Sequence, residues 1–168
     1  MKGLRRWQWG ILPAYNGFTR EERVRGWQLI MLMTDNGWAE RGATCCISGQ
    51  AHRLTLHSEN YYSWEPLTLN HSIHVALHQR FKKPDQWRRI VDRYARTGEE
   101  WFARLSLVPI DLAAQLRAEH GPEIAEIFNR APIPEGVAVP HPEDLGKVWL
   151  GKSNPAIQGP SPSRNRSS

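Results

Sequence analysis

Histidine is concentrated in one short stretch of this 168-residue chain. Five of its seven histidines lie between positions 52 and 78. Imidazole is the commonest metal ligand among side chains, and it exchanges protons near neutral pH. The stretch therefore contains a residue type suited to metal binding or acid–base chemistry, and the spacing of the histidines decides how they can be combined.

His74 and His78 are four residues apart in a segment that we predict to be helical. Residues 69–81 contain no glycine or proline, and apolar residues recur there at helical spacing, at Ile73, Leu77 and Phe81. Side chains four apart project from one helix face, so one ion can bridge both imidazoles. His71 lies on the same side, one turn earlier. The competing interpretation is that these histidines only line a partly exposed helix face.

A third imidazole, that of His57, is expected at the end of a strand. Leucine alternates with polar residues over residues 54–57, and Ser48-Gly49 is typical of a turn, so we predict a short hairpin within residues 45–62. Three nitrogen donors leave one coordination position open, as a hydrolytic metal site requires.

The same stretch contains a longer pattern. Its parts are Cys46-Ile-Ser-Gly49, Leu54-Thr-Leu-His-Ser-Glu-Asn-Tyr61, Pro66-Leu67, Asn70-His-Ser-Ile-His74-Val-Ala-Leu-His78-Gln-Arg-Phe81, Pro84 and Trp87. This pattern resembles an HNH-type endonuclease family of phages and bacteria. Its members often have a cysteine pair, a strand ending in His-His-Glu-Asp-Tyr, a proline, and then Cys-x-x-Cys-His-x-x-x-Leu-His. The resemblance implies a ββα-metal motif (His-Me finger) at residues 45–81, embedded among helices.

The resemblance also implies roles for individual residues. His57, His74 and His78 would bind a divalent ion (Mg²⁺, Mn²⁺ or Zn²⁺) that holds the scissile phosphate and stabilises charge on the leaving oxygen. The family's general base, the second histidine of the strand pair, corresponds to Ser58. A serine hydroxyl of ordinary acidity does not accept a proton at neutral pH.

Other nearby residues are candidates for the missing base. His71 shares the face of the helical pair, although it could equally be a fourth ligand, and His52 is the other histidine nearby. Glu59 could be base or ligand, or simply a solvated acid. The asparagine that orients the base in the family has no clear equivalent near Glu65, although Asn60 and Asn70 are close in sequence.

The cysteines of the family's structural zinc site are mostly absent. One pair corresponds to Cys46 and Gly49, and the other to Asn70 and Ile73. We therefore expect that the structural zinc has been lost as a unit and replaced by packing, with Cys45 and Cys46 as small buried residues.

A nucleic-acid partner, DNA in particular, fits the charge of the chain. The formal net charge is +5, and a basic protein gains affinity for a polyanion through counterion release. The cations flanking the motif are predicted to contact phosphates, or else to be merely solvated; they are Arg53, Arg80, Lys82 and Lys83.

The rest of the chain predicts an α+β fold that is mostly helical. We expect an N-terminal arm (1–18) that packs on the body or touches nucleic acid, one globular domain (19–131), a proline-rich extended strap (132–150) and a disordered basic tail (151–168). Thr19 and Glu22 have capping-box spacing, so a helix should start near Arg20 and stop at Asn36-Gly37. Further helices are predicted over residues 84–97, 99–105, 111–120 and 122–129.

The composition bears on the compartment of the protein, and the resemblance implies two possible functions. Two adjacent cysteines do not form a disulfide framework, and no apolar run approaches the roughly 20 residues of a membrane span, so we expect a soluble, cytoplasmic protein. The favoured function is a metal-dependent DNA endonuclease. The alternative is an inert descendant of the same fold that binds nucleic acid or a protein.

Overall fold

The computed structural model describes residues 2–125 and 133–137. Over these residues the fold is α+β and mostly helical, with five α-helices, one 3₁₀ helix and one two-stranded antiparallel sheet. The predicted strap and tail lie largely outside the described residues, as do the last four residues of the helix predicted over 122–129.

The first helix, α1 (Arg20–Asp35), begins and ends where the sequence predicts. The Thr19 hydroxyl accepts from the Glu22 amide, and the Glu22 carboxylate accepts from the Thr19 amide, which completes the capping box. Asn36 ends the helix. Apolar side chains from Leu29 to Met33 are buried, so α1 is held by packing as well as by its cap.

The hairpin is longer in sequence than predicted. Strand β1 (Leu54–His57) pairs with β2 (Leu67–Asn70), with Leu54 opposite Asn70 and His57 opposite Leu67. The prediction that both strands lie within residues 45–62 is wrong, because the second strand begins only after Pro66. The predicted turn at Ser48-Gly49 is present, and Gly49 has a φ of 71°, which suits glycine.

Helix α2 (His71–Gln79) starts directly after β2, two residues later than predicted. Asn70 is extended and caps the helix by accepting from the Ser72 amide at 3.0 Å, so the chain before it cannot be helical. The Asn70 side chain also donates to the His52 carbonyl at 3.0 Å. Strand, strand and helix therefore follow one another, and Asn70 is both the last residue of β2 and the cap of α2.

The remaining helices are shorter than predicted. They are α3 (Pro84–Arg93), α4 (Glu99–Phe102) and α5 (Leu112–His120), followed by a 3₁₀ helix (Pro122–Ala125). Pro84 stands in the first turn of α3, as expected. The chain leaves helical geometry at Tyr94, before the predicted stop at Thr97-Gly98, and the segment predicted as a helix over 122–129 begins with a 3₁₀ turn.

The main core lies between the hairpin, α2 and α3. Its buried members are Cys45, Ile47, Leu69, Ile73, Ala76, Leu77, Trp87 and Leu105. Cys45 and Cys46 are free thiols, with Cys45 buried in this core and Cys46 packed against it. Asn70 caps α2 and Ile73 is a core residue, so packing and capping hold this region together.

The N-terminal arm packs on α1 over its described length. Leu4 contacts the small core formed by Leu29 and Met33, and the Arg5 guanidinium pairs with Asp35 at 2.6 Å. Trp7 packs edge-on against Trp27, with 5.2 Å between ring centroids. Within residues 2–125 and 133–137, none of the helices combines the length and the apolar character that a membrane crossing requires.

Candidate metal centre

The three histidines predicted as ligands come together. His57 is the last residue of β1, and His74 and His78 face it from successive turns of α2. One ring nitrogen from each lies within 4.8 Å of the other two, so the cluster could bind a metal ion. The imidazole centroids are 5.1 Å (His57–His74), 4.9 Å (His57–His78) and 4.9 Å (His74–His78) apart.

The helical pair is already spaced for chelation. The Nε2 atoms of His74 and His78 are 3.0 Å apart. Two nitrogens bound tetrahedrally to one zinc ion at about 2.0–2.1 Å are about 3.3–3.4 Å from each other. A shift of a few tenths of an ångström would therefore bring both nitrogens to coordination distance.

The surroundings of these imidazoles favour the neutral form that binds metal. Desolvation lowers the pKa of His57, and the Glu59 carboxylate opposes that shift only in part. Desolvation and the neighbouring imidazoles also lower the pKa of His74 and of His78. The neutral ring with a free lone pair, which is the ligand form of histidine, therefore predominates at neutral pH.

Glu59 is the centre of a buried polar network. Its Oε2 accepts from His57 Nε2 at 2.9 Å and from the Tyr15 hydroxyl at 2.7 Å. Its Oε1 accepts from Asn16 Nδ2 and from Arg80 Nη2, each at 2.7 Å. Burial raises the pKa of Glu59, but the bonds from His57 and the Arg80 charge outweigh burial and lower that pKa to about 2. The interpretation of Glu59 as a solvated acid is wrong, since its side chain is only 15% exposed.

Thr55 orients the second ligand. Its hydroxyl is 2.9 Å from His74 Nδ1 and 3.3 Å from the Leu69 carbonyl. A hydroxyl that donates to the carbonyl can accept from His74 Nδ1–H, and His74 Nε2 then carries the lone pair that faces His78. Thr55 lies on β1 and bonds to β2, so the pairing of the two strands fixes the orientation of the His74 ring on α2.

The histidines line a small cavity of about 150 Å³. Ser58 is also in its wall, and Tyr61 and Arg23 contribute polar groups. The rest of the lining is mostly apolar or aromatic and includes Trp7 from the N-terminal arm. His78 is exposed, so the cluster is accessible from solvent on that side.

The other predicted site residues are more scattered. His71, the first residue of α2, and His52 are exposed. Arg53 lies beside the start of α2, where its carbonyl accepts from the His71 amide at 2.9 Å, while Lys82 and Lys83 lie beyond the other end of that helix. All three cations are exposed.

The expectation that Arg80 contacts phosphates is wrong. Its side chain is 1% exposed and donates to Glu59, to Tyr15 and to the carbonyls of Ser106 and Leu77. A guanidinium enclosed in this way cannot reach a ligand in solvent.

Three residues of the site were not predicted: Tyr15, Asn16 and Thr55. Tyr15 and Asn16 reach Glu59 from more than forty residues away, and no local sequence pattern reports such a contact. Thr55 had a usable signal, because a threonine two residues before His57 on a strand points to the same side of the sheet.

Comparisons of the chain with protein-family models, with curated proteins and with solved structures gave no match.

Proposed function

We propose that the protein is a metal-dependent endonuclease of the HNH type that hydrolyses phosphodiester bonds in DNA. The observation that carries this proposal is the convergence of three imidazoles, one from the end of β1 and two from α2. The order of strand, antiparallel strand and helix supports a ββα-metal motif, because it is the order that the sequence resemblance implies. A site built only for packing has no need of three convergent imidazoles.

The donor set favours zinc among the ions considered. Three imidazoles suit Zn²⁺ better than Mg²⁺, which prefers oxygen ligands. When bound by His57, His74 and His78, the ion would stabilise negative charge on the scissile phosphate and on the leaving oxygen. The buried Nδ1 of His57 has no hydrogen-bond partner among the described residues, so its lone pair is available to an ion.

His71 is the proposed general base. Glu59 is unsuited to that role because its two oxygens already accept four hydrogen bonds and its pKa is depressed. Ser58 is in the cavity wall and can orient a water through its hydroxyl, but it does not accept a proton at neutral pH. His71 is exposed and lies one helical turn before His74, so it can accept the proton of a water that enters from solvent.

The proposed DNA contacts are Arg53, Lys82 and Lys83. They are exposed at the two ends of α2, the helix that carries two of the three ligands. Cations placed on both sides of the site would hold a phosphate backbone across it and make binding depend on salt.

Ser58 favours the second candidate, a catalytically inert descendant that binds nucleic acid or a protein. If His71 does not replace the missing base, the cluster would bind metal without cleaving DNA. The two candidates differ in one measurable property, which is turnover in the presence of bound metal.

The test is nicking of supercoiled plasmid by the purified protein with Mg²⁺, Mn²⁺ or Zn²⁺, with and without a chelator. We expect chelator-sensitive nicking that is lost in His57→Ala and His78→Ala but kept in His120→Ala, which removes an exposed histidine of α5. His71→Ala should bind zinc normally and lose nicking. Zinc binding without nicking by the unmodified protein would favour the inert descendant, and absence of both would refute the metal site itself.

A further inference from the structure

The four groups that contact the Glu59 carboxylate determine which atom carries the hydrogen in each of these hydrogen bonds. The Asn16 amide nitrogen and the Arg80 guanidinium can only donate, and both reach Oε1 at 2.7 Å. The Arg80 charge beside Oε1 stabilises the ionised carboxylate, which has no hydrogen to offer. In the 2.9 Å contact between His57 Nε2 and Glu59 Oε2, the imidazole must therefore be the donor.

Because Nε2 of His57 carries the hydrogen, Nδ1 is the ring nitrogen with the lone pair. In a neutral imidazole one nitrogen carries hydrogen and the other carries a lone pair. His57 Nδ1 is buried and has no hydrogen-bond partner among residues 2–125 and 133–137. A buried acceptor without a partner costs free energy in the metal-free protein, and a cation near Nδ1 would recover it.

We propose that Glu59 is a positioning residue that holds His57 in the Nε2–H tautomer and so presents Nδ1 to the metal ion. This inference rests on the metal-binding part of the proposed function and does not require cleavage. The three histidines would then bind the ion through different ring nitrogens. His57 on the strand would use Nδ1, and both helical histidines would use Nε2, since His74 and His78 face each other through Nε2.

The same contacts connect the N-terminal segment to the metal centre. Tyr15 and Asn16 donate to Glu59, and Arg80 donates to both Glu59 and the Tyr15 hydroxyl. Glu59 therefore has no freedom to rotate away from His57 while these contacts last. The tautomer of His57 is set by groups from three separate parts of the chain.

The first test reads the tautomer directly. Long-range ¹H–¹⁵N correlation spectra of the full-length, metal-free protein at pH 7 distinguish a hydrogen on Nε2 from one on Nδ1. We expect the Nε2–H form for His57, and a change at Nδ1 when zinc is added. An Nδ1–H tautomer in the metal-free protein, or zinc coordinated through Nε2 with Glu59 displaced, would overturn the proposal.

The second test compares two matched carboxylates. Glu22 resembles Glu59 in exposure (20% against 15%) and in partners, because each contacts a tyrosine hydroxyl and an arginine, but Glu22 touches none of the three histidines. Glu59→Gln should weaken zinc binding by about 10- to 100-fold and mix the His57 tautomers. Glu22→Gln should lower thermal stability yet leave both readouts unchanged.

The outcomes separate this inference from the proposed function. Equal losses of zinc affinity in Glu59→Gln and Glu22→Gln would mean that Glu59 has only a structural role, and would overturn the inference. Zinc binding and the predicted tautomer without DNA nicking would refute the endonuclease and leave the role of Glu59 intact. If Glu59→Gln does not fold, the tautomer of the metal-free protein still decides the role of Glu59, and if the unmodified protein takes up no zinc, the proposal is overturned.

Discussion

Replacing Arg80 by methionine tests how strongly the polar network around the metal centre is held. The substitution keeps an unbranched side chain but removes the cation from a carboxylate that is 15% exposed. Removing one partner of a buried ion pair typically costs about 3–5 kcal/mol, because the other charge is left uncompensated. Arg80 also donates to Tyr15 and to two backbone carbonyls, so a loss at the upper end of that range is expected.

Arg88 provides the matched control. It pairs with Asp85 at 2.8 Å on α3, but the two side chains are 70% and 78% exposed, and such surface pairs contribute about 0–1 kcal/mol. Denaturant unfolding followed by circular dichroism should therefore show a large loss for Arg80→Met and almost none for Arg88→Met. Adding Glu59→Gln to Arg80→Met should recover part of the stability, because the unpaired charge is gone. A loss below about 1 kcal/mol for Arg80→Met would refute the view that a buried charge pair supports the site.

Two further predictions concern the core and the histidines. Ile73→Ala should lower the free energy of unfolding by about 2–5 kcal/mol, because it leaves a cavity in the main core. Val75→Ala, on the exposed face of α2, should leave the free energy of unfolding nearly unchanged. Equal effects of the two substitutions in denaturant unfolding would contradict the assigned core. The free energy of unfolding of the metal-free protein should fall as pH is lowered from about 6.5, the ordinary histidine pKa, because burial lowers the pKa of His74 to about 3 in the folded state. The unfolded chain then binds more protons than the folded chain over that interval. His74→Gln should show a shallower fall, and an identical slope in the two proteins between pH 7 and pH 5 would count against the buried, neutral ring.

Local interactions made much of the fold predictable from the sequence. The capping box at Thr19 and Glu22, the turn at Gly49 and the proline that starts α3 each depend on residues within a few positions of one another. The shared face of His74 and His78 is likewise a property of helical geometry alone. Each of these predictions is confirmed.

The errors arise where distant residues compete with a local pattern. Residues 69 and 70 fit a helical pattern, but pairing with β1 places them in a strand, and Asn70 then caps the helix that follows. Arg80 occurs among exposed cations in the sequence, yet it is buried because Glu59 and Tyr15 meet it from 21 and 65 residues away. Contacts between residues so far apart in the chain produce no periodic pattern that can be recognised in a single sequence.

The buried charges beside the histidine cluster support the proposed metal centre in addition to the histidines themselves. A buried ion pair is poor evidence of stabilisation, because well-packed apolar residues of similar volume often hold a fold equally well or better. The adjoining core, built from Ile73, Leu77 and Trp87, shows that α2 is already anchored by apolar packing. Burying Glu59 and Arg80 beside this core is not needed for that anchoring, but the pair contacts His57, the proposed ligand that α2 cannot supply. A polar network of this kind restricts the orientation of one imidazole, which a metal site requires of its ligands and a hydrophobic core does not.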